Sequence, residues 1–147
     1  MNYINCVAPE LAPVILESDN RGFLMRDLGG VPLSSIRADL VGELELFKKL
    51  EKAVTHLHTI GIAHGELRLG NIQLANRNIF ILDFSTAVRR GNILFQIWKC
   101  CDLMALATLK QRFIALPLHQ AEIELLATTG LSSFLYKRFL DKDLAYG

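Results

Sequence analysis

LHTIGIAHGELRLGNIQLANRNIFILDF, residues 57–84, carries more of the fold than any other stretch of this chain. It leaves an apolar helix at Gly61 and crosses a polar, glycine-bearing segment, 62–71, that reads as irregular loop. Two short apolar pieces follow, Ile72-Gln73-Leu74 and Ile79-Phe80-Ile81-Leu82, joined by Ala75-Asn76-Arg77-Asn78. Such pieces around a four-residue connection predict a β-hairpin. The order places His64, Glu66, Arg68 and Asn71 on one loop, and the hairpin returns Asp83-Phe84-Ser85 beside it. Asn71 and Asp83 together offer oxygen donors suited to Mg²⁺, a hard cation that keeps waters and bridges phosphates. Arg68 is placed to neutralise a transferring phosphoryl group, and Glu66 to orient or deprotonate an acceptor hydroxyl. A plainer reading stands beside this one. Asn71 and Asp83 would then cap the loop and hairpin, Arg68 would pair with Glu66 or Asp83, and Glu66 would be a solvated loop residue.

Upstream, Leu40, Leu44, Phe47, Leu50, Val54 and Leu57 recur at steps of three and four. This predicts a helix over 39–59 with Asp39 as N-cap and Gly61 as stop. His56 and His58, two apart on that helix, face different sides and make no metal pair. The first 30 residues read as short extended pieces. Val14-Ile15-Leu16 and Gly22-Phe23-Leu24-Met25 flank the polar turn 17–21 as a second hairpin, and Gly29-Gly30 and Pro32 break the chain after it. Downstream, Asn92 caps a helix to about Phe113 with Leu94, Ile97, Trp98, Cys101 and Ala105 on one side. Pro117 separates it from a helix near 120–129 ended by Gly130. A last short helix, capped by Ser132 or Ser133, carries Phe134, Leu135, Phe139 and Leu140. The class is α+β, mostly helical.

Composition sets the outer bounds. The 147 residues are 51% hydrophobic and 21% charged, which excludes intrinsic disorder. Sixteen basic against fifteen acidic residues leave +1, so no global field favours nucleic acid. Cys6, Cys100 and Cys101 make no disulfide framework and fit a reducing, cytoplasmic setting. No run approaches the ~18–20 apolar residues of a membrane span, and the N-terminus lacks the pattern of a signal peptide. Lys137-Arg138 is an ordinary solvated end that would touch a lipid headgroup only if the substrate were membrane-borne.

With these residues in place a resemblance emerges. His64-Gly65-Glu66-Leu67-Arg68-Leu69-Gly70-Asn71 resembles the protein-kinase catalytic loop, and Asp83-Phe84-Ser85 resembles D-F-G. The H-G-E-L-R-x-G-N form is more similar to atypical bacterial kinases, the lipopolysaccharide (Kdo/WaaP-type) and Rio-like groups, than to ordinary Ser/Thr kinases. Phe23 to Gly30 is similar to the fifth strand and hinge of a kinase, which implies that backbone groups near Arg26 and Leu28 meet the adenine of ATP. Asp102 resembles the buried aspartate that braces the catalytic loop, and His64 a buried structural residue. The similarity covers roughly residues 9–113. It implies one kinase-like domain over 1–147, with a protein-kinase-like C-lobe at 31–147 and a remnant β hairpin and hinge from the N-lobe at 1–30. It also implies ATP and Mg²⁺ as cofactors, and a sugar hydroxyl of a lipid or a protein Ser/Thr as acceptor.

Four departures qualify the implied activity. Only eight residues precede Pro9 and no lysine precedes Lys48, so the N-lobe elements that clamp ATP are missing from the matched region. Glu66 stands at the catalytic aspartate position, its carboxylate displaced by roughly 1 Å, a shift that can cost about 10²-fold in rate. Ser85 replaces a glycine, which matters only if the backbone there needs positive φ. Gln73 stands where an apolar residue floors the adenine pocket, and must find a partner of its own. Gly65 in place of an arginine implies no activation-loop phosphorylation switch. The alternatives to a truncated phosphotransferase are a pseudokinase acting as a scaffold and a fragment whose N-lobe lies elsewhere. Either would leave a face for a protein partner or a second copy.

Overall fold

The computed structural model describes residues 2–19, 23–36, 43–114, 117–127, 130–131, 134–135 and 137. The elements run α1 (Asn2–Val7), β1 (Ile15–Ser18), β2 (Phe23–Met25), β3 (Val31–Pro32), α2 (Glu43–Thr59), β4 (Ile62–Ala63), β5 (Ile72–Ala75), β6 (Asn78–Ile81), β7 (Val88–Arg89), α3 (Phe95–Ile114) and α4 (Gln120–Ala127). Helix outweighs sheet, and the strands form three small antiparallel sheets. These are β1 with β2, β3 with β5 and β6, and β4 with β7. The class is α+β, mostly helical, as the patterning predicts.

The period-3.6 stripe of α2 forms the centre of the core. Phe47, Leu50, Val54 and Leu57 are all buried, while Leu44 lies beyond the core and is exposed. Leu40 and the Asp39 cap fall outside the described residues. At the other end the helix stops at Gly61, whose φ of +83° is open to glycine without strain. Arg90 donates to the last carbonyls, at 3.1 Å to His58 and 3.3 Å to Thr59, the arrangement that suits a cation at a helix C-terminus.

α3 packs on α2 and differs from its expected one-sided pattern. Cys101, Asp102, Met104, Ala105, Leu106, Ala107, Leu109 and Lys110 are all buried while Gln96, Leu103 and Gln111 stay exposed, so burial spreads well beyond the expected side. Asp102 and Lys110 lie among the buried residues and Leu103 among the exposed ones, so the helix shows no clean apolar stripe. Asn92 Oδ1 accepts from the Leu94 N–H at 2.8 Å just before the helix. Burial raises the Cys101 thiol to about 12, with Asp102 adding to the effect, so Cys101 is an inert core residue. Lys110 reaches Glu122 on α4 at 2.7 Å and ties the two helices together. Burial alone would raise the Glu122 carboxyl, but Lys110 and the His119 N–H hold it below its ordinary value.

Several short elements depart from expectation. The first residues are not all extended: α1 buries Ile4, with Ala8, Leu11 and Ala12 behind it, and the Leu11 carbonyl accepts from the Ile81 N–H at 2.7 Å. A six-residue helix has little stability alone and exists through that burial. Segment 62–71 is not wholly irregular, since it contains β4 and a 3₁₀ turn at Leu69–Asn71. The β5–β6 connection is two residues rather than four. Asn76 and Arg77 both have positive φ, 50° and 62°, as a type I′ hairpin turn requires. The hairpin of β1 and β2 forms in the expected place, with Ile15 opposite Met25. Most of the expected last short helix, with Ser132, Ser133, Phe139 and Leu140, lies outside the described residues. No described helix is long and apolar enough to cross a membrane.

Candidate active site

The loop between β4 and β5 is held from below by α3. The Asp102 carboxylate, 1% exposed, accepts from the His64 N–H at 2.8 Å through Oδ2 and from the Gly65 N–H at 2.8 Å through Oδ1. His58 Nε2 lies 2.9 Å from the same Oδ2, so α2, α3 and the loop meet at one buried group. All of these contacts converge on one buried carboxyl, and none is diluted by solvent.

His64 is equally buried. Its Nε2 faces the Leu82 carbonyl at 2.9 Å while Nδ1 accepts from the Glu66 N–H at 3.3 Å. Those partners assign the ring proton to Nε2. The ring meets Phe84 edge-on, with centroids 4.9 Å apart. His64 thus joins the loop to the strand end that presents Asp83, and is occupied as a structural group on both nitrogens.

Glu66 and Asn71 are also buried. Asn71 Nδ2 donates to the Glu66 carbonyl at 3.0 Å, and the Asn71 carbonyl accepts from the Leu82 N–H at 2.7 Å. The amide nitrogen is therefore engaged within the loop, and Oδ1 is its remaining polar atom. Glu66 is not the solvated loop residue of the plainer reading. Its carboxylate lies 3.5 Å from Arg68 Nε, an ion pair without hydrogen-bond geometry, and Arg68 Nε is buried without a hydrogen-bond partner. Of the partners weighed for Arg68, Glu66 is the one it pairs with.

Asp83 is exposed and takes a left-handed conformation, φ 57°, uncommon for a side chain with a Cβ. Ser85 Oγ donates to Asp83 Oδ1 at 2.6 Å and the Ser85 N–H approaches the same oxygen at 3.4 Å. The Ser85 hydroxyl holds the Asp83 carboxyl below its ordinary value, with smaller help from His64 and Arg68, and so keeps it ionised. The positive φ falls on Asp83 and not on Ser85, so a serine at the glycine position carries no backbone strain.

Gly65 has φ +81°, and a Cβ there would run into the Trp98 ring. Only glycine meets both conditions, which is a local physical reason for glycine at this place. Gln73 finds the partner it needs: Nε2 donates to the Gly30 carbonyl at 3.1 Å, tying the segment after β2 to β5. Arg26 and Leu28 lie at the exit of the β1–β2 hairpin. The Arg26 N–H donates to the Val14 carbonyl at 2.8 Å and is used within the hairpin.

The donors fit a hard cation. Asn71 Oδ1 and the Asp83 carboxylate are oxygens, the donor type that Mg²⁺ takes, one or two from protein with water and phosphate completing its shell. Three contributors escaped the sequence reading: His58, Thr86 and Trp98. Thr86 Oγ1 donates to the His64 carbonyl at 2.9 Å, and Trp98 Nε1 donates to the Thr86 carbonyl at 2.7 Å. His58 carried a signal only in lying one turn before the loop on α2.

No protein-family model matches the chain. Over 75 residues it is 33% identical to a probable bifunctional tRNA threonylcarbamoyladenosine biosynthesis protein of Methanosarcina barkeri, a match covering 51% of this chain and 13% of that protein. Over 55 residues it is 40% identical to the serine/threonine-protein kinase ppk8 of Schizosaccharomyces pombe, covering 37% of this chain and 10% of the kinase. The chain thus matches only a small part of either relative. Among solved structures it resembles the Rio2 kinase–ADP/Mg²⁺–phosphoaspartate complex from Chaetomium thermophilum. The TM-score is 0.64 at 12% sequence identity, covering 92% of this chain and 49% of that one. The fold is therefore protein-kinase-like.

Proposed function

We propose that this chain is the C-lobe portion of an atypical kinase-like phosphotransferase that uses Mg-ATP. The observation that carries the reading is the convergence of the 64–71 loop and the 83–86 turn. Asn71 is bonded at once to the Glu66 carbonyl and to Leu82, the neighbour of Asp83. Asn71 Oδ1 and Asp83 would hold the cation, which when bound supplies charge neutralisation between phosphates. Glu66 would orient the acceptor hydroxyl and accept its proton, while Arg68, released from Glu66 or shared with it, would face the γ-phosphate. Backbone groups near Arg26 and Leu28 would meet adenine. The Rio2 neighbour, solved with ADP and Mg²⁺, supports both cofactors by likeness of fold. Of the two acceptor classes, a protein Ser/Thr is favoured over a lipid-linked sugar by the kinase among the relatives.

One observation favours a second reading, a scaffold without transfer activity. Val14, Leu16, Leu24, Met25 and Val31 are exposed on and beside the hairpin, an apolar surface of the kind that marks an interaction face. In this reading a second lobe, a partner or another copy covers that face, and the site residues only position the loop.

A thermal-shift titration with ATP, with and without Mg²⁺, separates the two. The phosphotransferase reading expects a Mg²⁺-dependent rise in melting temperature that Asp83→Ala abolishes. No shift at millimolar nucleotide leaves the scaffold. Where transfer is seen, Glu66→Asp is expected to raise turnover, since it returns the carboxylate to the position the resemblance assigns; a fall would show that Glu66 is adapted to this loop.

A further inference from the structure

The structure assigns a positioning role to Thr86 and Trp98: together they clamp the carbonyl side of the 64–66 loop to the turn that carries Asp83. This inference rests on the functional reading above, because it concerns the geometry of the same site.

Trp98 and Asp102 are four residues apart on α3, so their side chains lie one above the other on one face of the helix. Asp102 takes the His64 and Gly65 N–H groups directly. Trp98 acts through an intermediary. Its Nε1 donates to the Thr86 carbonyl at 2.7 Å, and Thr86 Oγ1 donates to the His64 carbonyl at 2.9 Å. His64 is therefore fixed at both ends of its backbone, at nitrogen by Asp102 and at oxygen by Thr86. The Trp98 ring also closes against Gly65, where a Cβ has no room.

Thr86 ends the 3₁₀ turn Phe84–Thr86 that Asp83 caps. One residue thus touches the acceptor loop through its hydroxyl and the anchoring helix through its carbonyl, three positions beyond the cation-holding carboxylate. The loop cannot rotate about Asp102 without dragging the turn, so the spacing between Glu66 and Asp83 is kept. Thr86 and Trp98 do this without being placed at the reacting atoms.

Hydrogen exchange tests the clamp directly, because the His64, Gly65 and Glu66 amides are all bonded in the native loop. Thr86→Val removes one neutral hydrogen bond while keeping the shape. It is expected to speed exchange at amides 64–66 and 84–87 by about three- to tenfold, with the core amides of α2 unchanged. Thr86→Ser restores the hydroxyl and is expected to restore protection, and Trp98→Phe should loosen the same two segments. The Mg-ADP dissociation constant, by calorimetry, should rise by a similar factor in Thr86→Val and not in Thr86→Ser. Unchanged exchange at 64–66 and 84–87 in Thr86→Val overturns the proposal. So does a speed-up spread evenly over α2 and α3, which would mark a merely structural residue. If the unaltered chain does not bind Mg-ADP while the exchange pattern holds, the nucleotide reading fails and the clamp stands.

Discussion

The 62–71 loop and the 15–25 hairpin are both short, turn-bounded pieces of chain, yet they are held in opposite ways. In the loop, Ala63 and His64 are buried to 1% exposure or less, and successive N–H groups at 64, 65 and 66 each have a side-chain acceptor. In the hairpin, Leu16 and Leu24 are more than half exposed, and the principal backbone bonds are those between its own two strands and from Arg26 to Val14. A two-stranded ribbon of that size is marginal alone, whereas a loop tied to two helices is over-determined. Geometric precision therefore resides in the loop. Glu66, Arg68, Asn71 and Asp83 stand on or against the braced part, while Arg26 and Leu28 stand on the part that leaves its apolar side uncovered.

The largest expected effect comes from removing the central brace. Asp102→Ala leaves His58 and two loop N–H groups without their acceptor in the core, and is expected to cost about 3–5 kcal/mol in denaturant unfolding. A cost below about 1 kcal/mol would show that the loop is held by packing alone. Gly65→Ala comes next, since it forces a Cβ against Trp98 at positive φ. A loss of about 1–3 kcal/mol is expected, together with a change in the fluorescence of this one tryptophan. An unperturbed emission would place Trp98 elsewhere. The smallest effect belongs to the other region. Leu24→Ser on the exposed hairpin should move stability by no more than about 0.5 kcal/mol, while raising solubility if that face is sticky. A large loss there would mean that the hairpin is packed in solution and would remove the contrast.

How much of this was legible in the sequence depended on the range of the interactions. α2 and the β5–β6 hairpin follow from local periodicity and turn residues, and the structure places them within a few residues of expectation. α1 leaves no such signal, because six residues carry no period and its helix depends on burying Ile4 against distant chain. The convergence of Asn71 and Asp83 could be read because the hairpin that joins them is local. The brace could not. His58 meets Asp102 across 44 positions, and Thr86 meets His64 across 22. Asp102 is legible only through its likeness to a kinase aspartate, and Trp98 only as one more residue on the apolar side of α3. Its indole N–H is what distinguishes it, and no pattern of hydrophobic spacing carries that information.

The proposed function requires that Asn71 and the Asp83 turn form one divalent-cation site for a bound nucleotide. Replacing Mg²⁺ by paramagnetic Mn²⁺ in the presence of ADP, and following amide resonances of the whole chain, tests it most directly. Selective broadening is expected at 71 and 83–85, lost in Asp83→Ala, with the outer strand β1 unaffected. Broadening centred elsewhere, or none at millimolar ADP, would contradict it.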